Sequence, residues 1–156
     1  MLPITKILCP TDFSEPSYKA LETANELAEK FNAEIILIHV LSPVFVYPAA
    51  AITPGIIKTT DINDIDRDEM AYKSLSMTLE EKVPDSIRSR SILEKGNPAD
   101  EIVKSAKEEK ADLIIIGTHG FTGWRHLILG SVAEKVVRLA SCPVLTVPAH
   151  KGPVVM

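Results

Sequence analysis

Leu113-Ile114-Ile115-Ile116-Gly117-Thr118-His119-Gly120 is the stretch from which the rest of the chain can be read. Its aliphatic run is nearly continuous, the pattern of a strand buried on both faces in a parallel sheet covered by helices. Glycines follow it directly and recur at Gly123 and at Gly130, where Gly130-Ser131-Val132-Ala133-Glu134 begins. Ser131 and Glu134 have capping-box spacing, so a helix is expected to open there and to run through Val136 and Leu139. A buried strand, a glycine-rich segment and a helix N-terminus thus follow one another.

Working outward, four more apolar runs occur at Lys6–Cys9, Glu34–Val40, Ile87–Leu93 and Val144–Val147. Ile35–Ile38 and Val144–Val147 share the continuous character of Leu113–Ile116, and the same burial on both faces is expected of them. Between the runs the period becomes helical. Ala20, Leu21, Ala24, Leu27, Ala28 and Phe31 recur at three- and four-residue steps, as do Tyr72, Leu75, Leu79 and Val83, which puts each set on one buried face. Asn97-Pro98 followed by Asp100 and Glu101 reads as an N-cap, a proline in the first turn and acids at the positive end of a helix dipole. That helix would bury Ile102, Val103 and Ala106.

The order is β-α-β-α-β-α-β-α-β, which predicts an α/β fold: one open parallel five-stranded sheet with right-handed crossovers and helices on both faces. No internal repeat or boundary divides residues 1–156, so a single domain is expected. Ser42–Asn63, rich in proline and small residues, exceeds the usual loop length. It is read as an insertion, either a lid, a surface for an unknown protein partner, or a plain surface loop.

Composition sets limits on function. The 156 residues are 46% hydrophobic and 24% charged, ordinary for a globular chain with a core. The net charge is -4 and the basic residues are scattered, so the stripe that binds nucleic acid is missing. Cys9 and Cys142 form no CxxC or metal-ligand pattern and read as buried or half-buried thiols of a reducing compartment. The first residues lack the pattern of a signal peptide, and the most apolar stretch, Val44–Ile57, is broken by Pro48 and Pro54. A cytoplasmic protein without a membrane partner is expected.

The glycine segment carries the chemistry. Glycine adopts positive φ freely, and without a Cβ it lets a polyanion approach backbone amides. At Gly130-Ser131 a helix N-terminus supplies free N–H groups and a favourable dipole, which makes a phosphate seat with the Ser131 hydroxyl at hand. The competing reading is that Ser131 with Glu134 only caps the helix. The segment is not a P-loop, since no Gly-Lys-Ser/Thr occurs, and it is not G-x-G-x-x-G. A second unusual loop, Pro10-Thr11-Asp12, follows the first strand. In the strand order 3-2-1-4-5 the direction of winding reverses between strands 1 and 4, so both loops would open on one crevice. Asp12 or Ser14 would cap the first helix; alternatively the Asp12 carboxylate would bind a ribose hydroxyl or a divalent cation.

Gly117-x-x-Gly120, nine residues, then Gly130-Ser131 resembles the G-x2-G-x9-G-S/T pattern of ATP-binding universal stress proteins. The opening Lys6–Ser14, His39-Val40 and the closing Cys142–Val147 are similar to that family as well. The resemblance covers nearly the whole chain except Ser42–Asn63 and the tail after Pro148. It implies a Rossmann-like nucleotide-binding fold with ATP, ADP or AMP as ligand, accompanied by Mg2+. It places adenine near main-chain groups of Asp12 and Val40, ribose against Pro10 and Gly117, and phosphates against Gly120, Gly130, Ser131 and Val132, with Thr11 in the same loop as Pro10 and Asp12. It also implies a homodimer through the last strand, Val144–Val147, which the predicted order leaves at the sheet edge. The alternative there is an edge covered by Ala149–Met156.

The expected function is an adenine-nucleotide-binding stress-response or regulatory protein. Hydrolysis would require an activated water and charge stabilisation at the γ-phosphate, yet Asp12 is the sole carboxylate placed near the crevice. Arg125 and His126 read as phosphate contacts or solvated loop residues, His119 as a loop hydrogen-bonder and His39 as a satisfied rim histidine. The alternatives are a slow metal-dependent ATP hydrolase, or a nucleotide-independent structural dimer that binds partner proteins.

Overall fold

The computed structural model describes residues 3–43, 64–119 and 129–149, residue 64 without its side chain. Gly120, Gly123, Arg125, His126, the insertion beyond residue 43 and the tail beyond residue 149 lie outside the described residues. The elements are β1 (Lys6–Pro10), α1 (Glu15–Phe31), β2 (Glu34–Leu41), α2 (Asp64–Lys82), β3 (Ser89–Lys95), α3 (Pro98–Glu108), β4 (Leu113–Gly117), α4 (Ser131–Leu139) and β5 (Val144–Val147). They form one sheet in the order β3-β2-β1-β4-β5, and every neighbouring pair is parallel.

Side chains alternate across a strand, and here the alternation sorts the core into two layers. Ile7, Cys9, Ile35, Leu37, Leu113 and Ile115 face α1 and α2. Leu8, Ile36, Ile38, Ile114 and Ile116 face α3 and α4. Each fully buried Leu or Ile contributes about 1.5–3 kcal/mol of hydrophobic stabilisation, which explains why the continuous aliphatic runs occupy the sheet centre. Burial also pushes the Cys9 thiol up to about 12, so it stays protonated and unreactive.

Helix boundaries follow local chemistry. Asn97 caps α3, its side chain accepting from the Asp100 N–H at 3.3 Å, with Pro98 in the first turn. Ser14, and not Asp12, caps α1, accepting from the Ser17 N–H at 3.5 Å. Asn32 ends α1 in the left-handed conformation at φ 55°, which asparagine tolerates well.

Four sequence readings need correction. The third strand lies at Ser89–Lys95, two residues later than Ile87–Leu93, because Ile87 belongs to a turn closed by its N–H on the Pro84 carbonyl. Tyr72 is 55% and Phe31 43% exposed; each occupies the margin of its helix stripe, where the sheet no longer covers it. β5 is not buried on both faces: it ends the sheet, and Leu145 is 37% exposed. Finally, Ser131 is not the N-cap of α4, a point with consequences for the site.

Candidate functional site

A cleft of about 520 Å³ opens beyond the carboxyl ends of β1, β2 and β4, at the point where the winding reverses. That is the position and size expected of a ligand site in an open parallel sheet. Of the sequence-derived candidates, Pro10, Thr11, Asp12, Val40, Gly117, Gly130, Ser131 and Val132 all line it, while Gly120 is outside the described residues.

The two ends of the glycine segment meet across this cleft. Thr118 is held by its N–H on the Val147 carbonyl at 3.0 Å, and its own carbonyl accepts from the Gly130 N–H at 2.5 Å. A Cβ at Gly130 would lie 2.9 Å from that same carbonyl oxygen, and one at Gly117 would lie 2.9 Å from the Pro16 carbonyl oxygen. Both glycines are therefore required by close approach of backbone to backbone.

Gly130 is the N-cap of α4 (φ -66°, ψ 159°) and offers no side-chain hydrogen bond to the helix. Its carbonyl accepts the first intrahelical bond, from the Glu134 N–H at 2.9 Å. The capping box fails because the helix begins one residue early: Ser131 is already helical, and Glu134 pairs with Arg138 at 3.9 Å. The Ser131 hydroxyl is exposed and makes no hydrogen bond among the described residues. The N–H groups of Ser131, Val132 and Ala133 precede the first intrahelical bond, and all three residues line the cleft. Unshared donors of this kind, at the positive end of a helix dipole, bind anions.

The opposite loop is braced from within. Thr11 Oγ1 accepts the Phe13 N–H at 3.0 Å and shares a hydrogen bond with Ser17 Oγ, also 3.0 Å. The Thr11 N–H reaches the Ile38 carbonyl at 2.8 Å, and His39 Nδ1 lies 2.8 Å from the Thr11 carbonyl oxygen as its donor. The His39 ring also packs on Phe13, with ring centroids 4.6 Å apart. His39 is thus a satisfied rim residue. Asp12 Oδ1 accepts from both the N–H and the hydroxyl of Ser14, whereas Oδ2 makes no hydrogen bond among the described residues. His119 Nδ1 is 2.8 Å from Thr118 Oγ1, the loop bond expected of it.

Sequence reasoning missed Arg67, Ser17, Pro98 and Ile102, which also line the cleft. Pro98 and Ile102 come from the start of α3, and only the three-dimensional crossover reveals that this helix end faces the same crevice. Arg67 is the sole lysine or arginine among the described lining residues, and Asp12 the sole carboxylate. Among the described residues no group of three His, Cys, Asp or Glu side chains could hold a metal, and no helix is long and apolar enough to cross a membrane.

The chain is similar to known proteins along nearly its whole length. The chain is 37% identical over 148 residues to universal stress protein MJ0531 of Methanocaldococcus jannaschii, covering 94% of this chain and 83% of that one. It is 35% identical to universal stress protein YxiE of Bacillus subtilis, covering 91% and 97%. Among solved structures, MJ0577 of M. jannaschii superposes with a TM-score of 0.75 at 30% identity, covering 97% of this chain and all of that one. A universal stress protein in complex with cAMP superposes with a TM-score of 0.65 at 25% identity, covering 96% and 100%. The sequence profile of the universal stress protein family matches residues 3–148, and with relatives this similar over nearly their full length the chain belongs to that family.

Proposed function

We propose that this protein binds ATP, or a closely related adenine nucleotide, in the cleft between the Pro10–Asp12 loop and the N-terminus of α4, and acts as a cytoplasmic stress-response regulator. The observation that carries the reading is the start of α4, where the N–H groups of Ser131, Val132 and Ala133 and the uncapped Ser131 hydroxyl open on the cleft. Phosphates seat there with Gly130 and Gly120, ribose against Pro10 and Gly117, and the base near Thr11, Asp12 and Val40. The nucleotide brings Mg2+, and Asp12 Oδ2 is the carboxylate oxygen available to that ion or to a ribose hydroxyl. The cAMP complex of a family member supports an adenine nucleotide as ligand. Isothermal titration with ATP, ADP and AMP, with and without Mg2+, tests the proposal. Saturable binding with one nucleotide per chain is expected, and affinity should rise with phosphate number. An absence of binding at millimolar nucleotide would overturn it.

The same reading makes the protein a binding module with little or no turnover. Asp12 is the one carboxylate on the described walls and its Oδ1 is already bonded twice, which supports a binding module, since efficient hydrolysis needs a base positioned on the water that attacks the γ-phosphate. We further propose a two-fold homodimer through β5. β5 ends the sheet, its Leu145 is 37% exposed, and Val137 and Leu139 of the neighbouring α4 are 46% and 47% exposed.

A further inference from the structure

We infer that Arg67 is a nucleoside-end contact of the cleft, its guanidinium lying against the purine ring; the inference rests on the nucleotide reading above. Three observations lead to it. Arg67 lines the cleft from the first turns of α2 and is the only permanent cation among the described residues that do so. It has no carboxylate partner within those residues: its one hydrogen bond runs from Nη2 to the Ser42 carbonyl at 3.2 Å. A guanidinium beside a cavity that gives one N–H to a single neutral acceptor among the described residues keeps further N–H groups, and its planar cation is suited to stacking.

Position decides which part of the ligand it meets. Ser42 directly follows the end of β2, two residues beyond Val40, whereas the phosphate seat at Ser131–Ala133 follows β4. β1 lies between β2 and β4, so at about 4.8 Å per strand the two ends of the cleft are about 10 Å apart. That span matches the separation of a base from its terminal phosphates. Arg67 is therefore at the base end, where a planar delocalised cation gains most by stacking on an aromatic ring. A lysine in its place keeps the charge and a donor for the Ser42 carbonyl but has no plane to stack.

The experiment is titration of wild type, Arg67→Ala and Arg67→Lys with adenosine, AMP, ADP and ATP, each variant first checked for an unchanged unfolding midpoint. Both variants should weaken all four ligands by the same factor, about 10-fold or 1.4 kcal/mol. The wild-type preference for ATP over CTP should narrow in both, because a purine offers the larger stacking face. A loss that grows with phosphate number, or full rescue by lysine, would show that Arg67 serves as a point charge or a loop clasp and would overturn the inference. Unchanged affinities in both variants would overturn it too, while wild-type binding of ATP would leave the nucleotide reading standing. A wild type that binds none of these ligands would overturn both.

Discussion

At Gly130 a Cβ would press on the Thr118 carbonyl oxygen at 2.9 Å, so a substitution there disturbs the backbone before any ligand arrives. Gly130→Val, the obvious probe of a phosphate seat, would confuse lost folding with lost binding. Ser131 is the better probe, being exposed and already helical. Ser131→Asp puts a negative charge on the positive end of the α4 dipole, which favours the helix by about 0.3–1 kcal/mol. The same charge repels phosphate. The expected outcome is an unfolding free energy equal to or above wild type together with ATP affinity at least about 10-fold, or 1.4 kcal/mol, weaker, and adenosine affinity unchanged. Denaturant unfolding and calorimetric titration on the same preparation check both signs. A variant that binds ATP as wild type does would remove phosphate from this helix end.

Among the elements, the start of the β1–β4 ladder is reinforced by one side chain. Asp112 Oδ2 accepts from the Thr5 N–H at 2.8 Å, the Thr5 hydroxyl at 2.8 Å and the Lys6 N–H at 3.0 Å. These donors, the Thr5 N–H foremost, hold the Asp112 carboxyl below the usual aspartate range. A depressed native value means that this stability is fully present above the unfolded-state value and is lost as pH falls through the native one. Asp112→Ala should therefore cost about 1 kcal/mol at pH 7, solvent screening included. The cost should fade as pH drops below about 4, the ordinary aspartate value. Urea unfolding at pH 7 and pH 3 measures it, and a pH-independent cost would contradict the account. The strands and helices themselves were legible because Ile35–Ile38 and Leu113–Ile116 leave no reading but burial, and because Asn97-Pro98 is unambiguous helix-start chemistry. The start of α4 was misread by one residue, since capping-box spacing cannot show that Gly130 is already held by Thr118. Arg67 was invisible for a different reason: it follows a long insertion, and nothing local places α2 beside the end of β2.

On the scale of the whole molecule, the β5 end of the sheet and the cleft are separate functional questions. The Ile114 N–H donates to the Pro143 carbonyl and the Thr118 N–H to the Val147 carbonyl. In a parallel ladder alternate residues face the same neighbour, so the main-chain groups of Val144 and Thr146 point outward. Thr146→Pro removes an outward donor and leaves the bonds to β4 in place. Light scattering should report a dimer for wild type and a shift toward monomer for the variant; a wild type that stays monomeric at tens of micromolar contradicts pairing through β5. Purified protein should hydrolyse ATP far more slowly than the enzyme median of about 10 per second, and a rate near that value, lost in Asp12→Ala, would make Asp12 catalytic. The central claim is that phosphates sit on the first turn of α4, and amide-resolved NMR of the labelled protein titrated with ATP tests it most directly. The largest shifts are predicted at the N–H groups of Ser131, Val132 and Ala133, smaller with AMP than with ATP, while shifts near Val40 are common to both. ATP binding that leaves those three amides unmoved would contradict it.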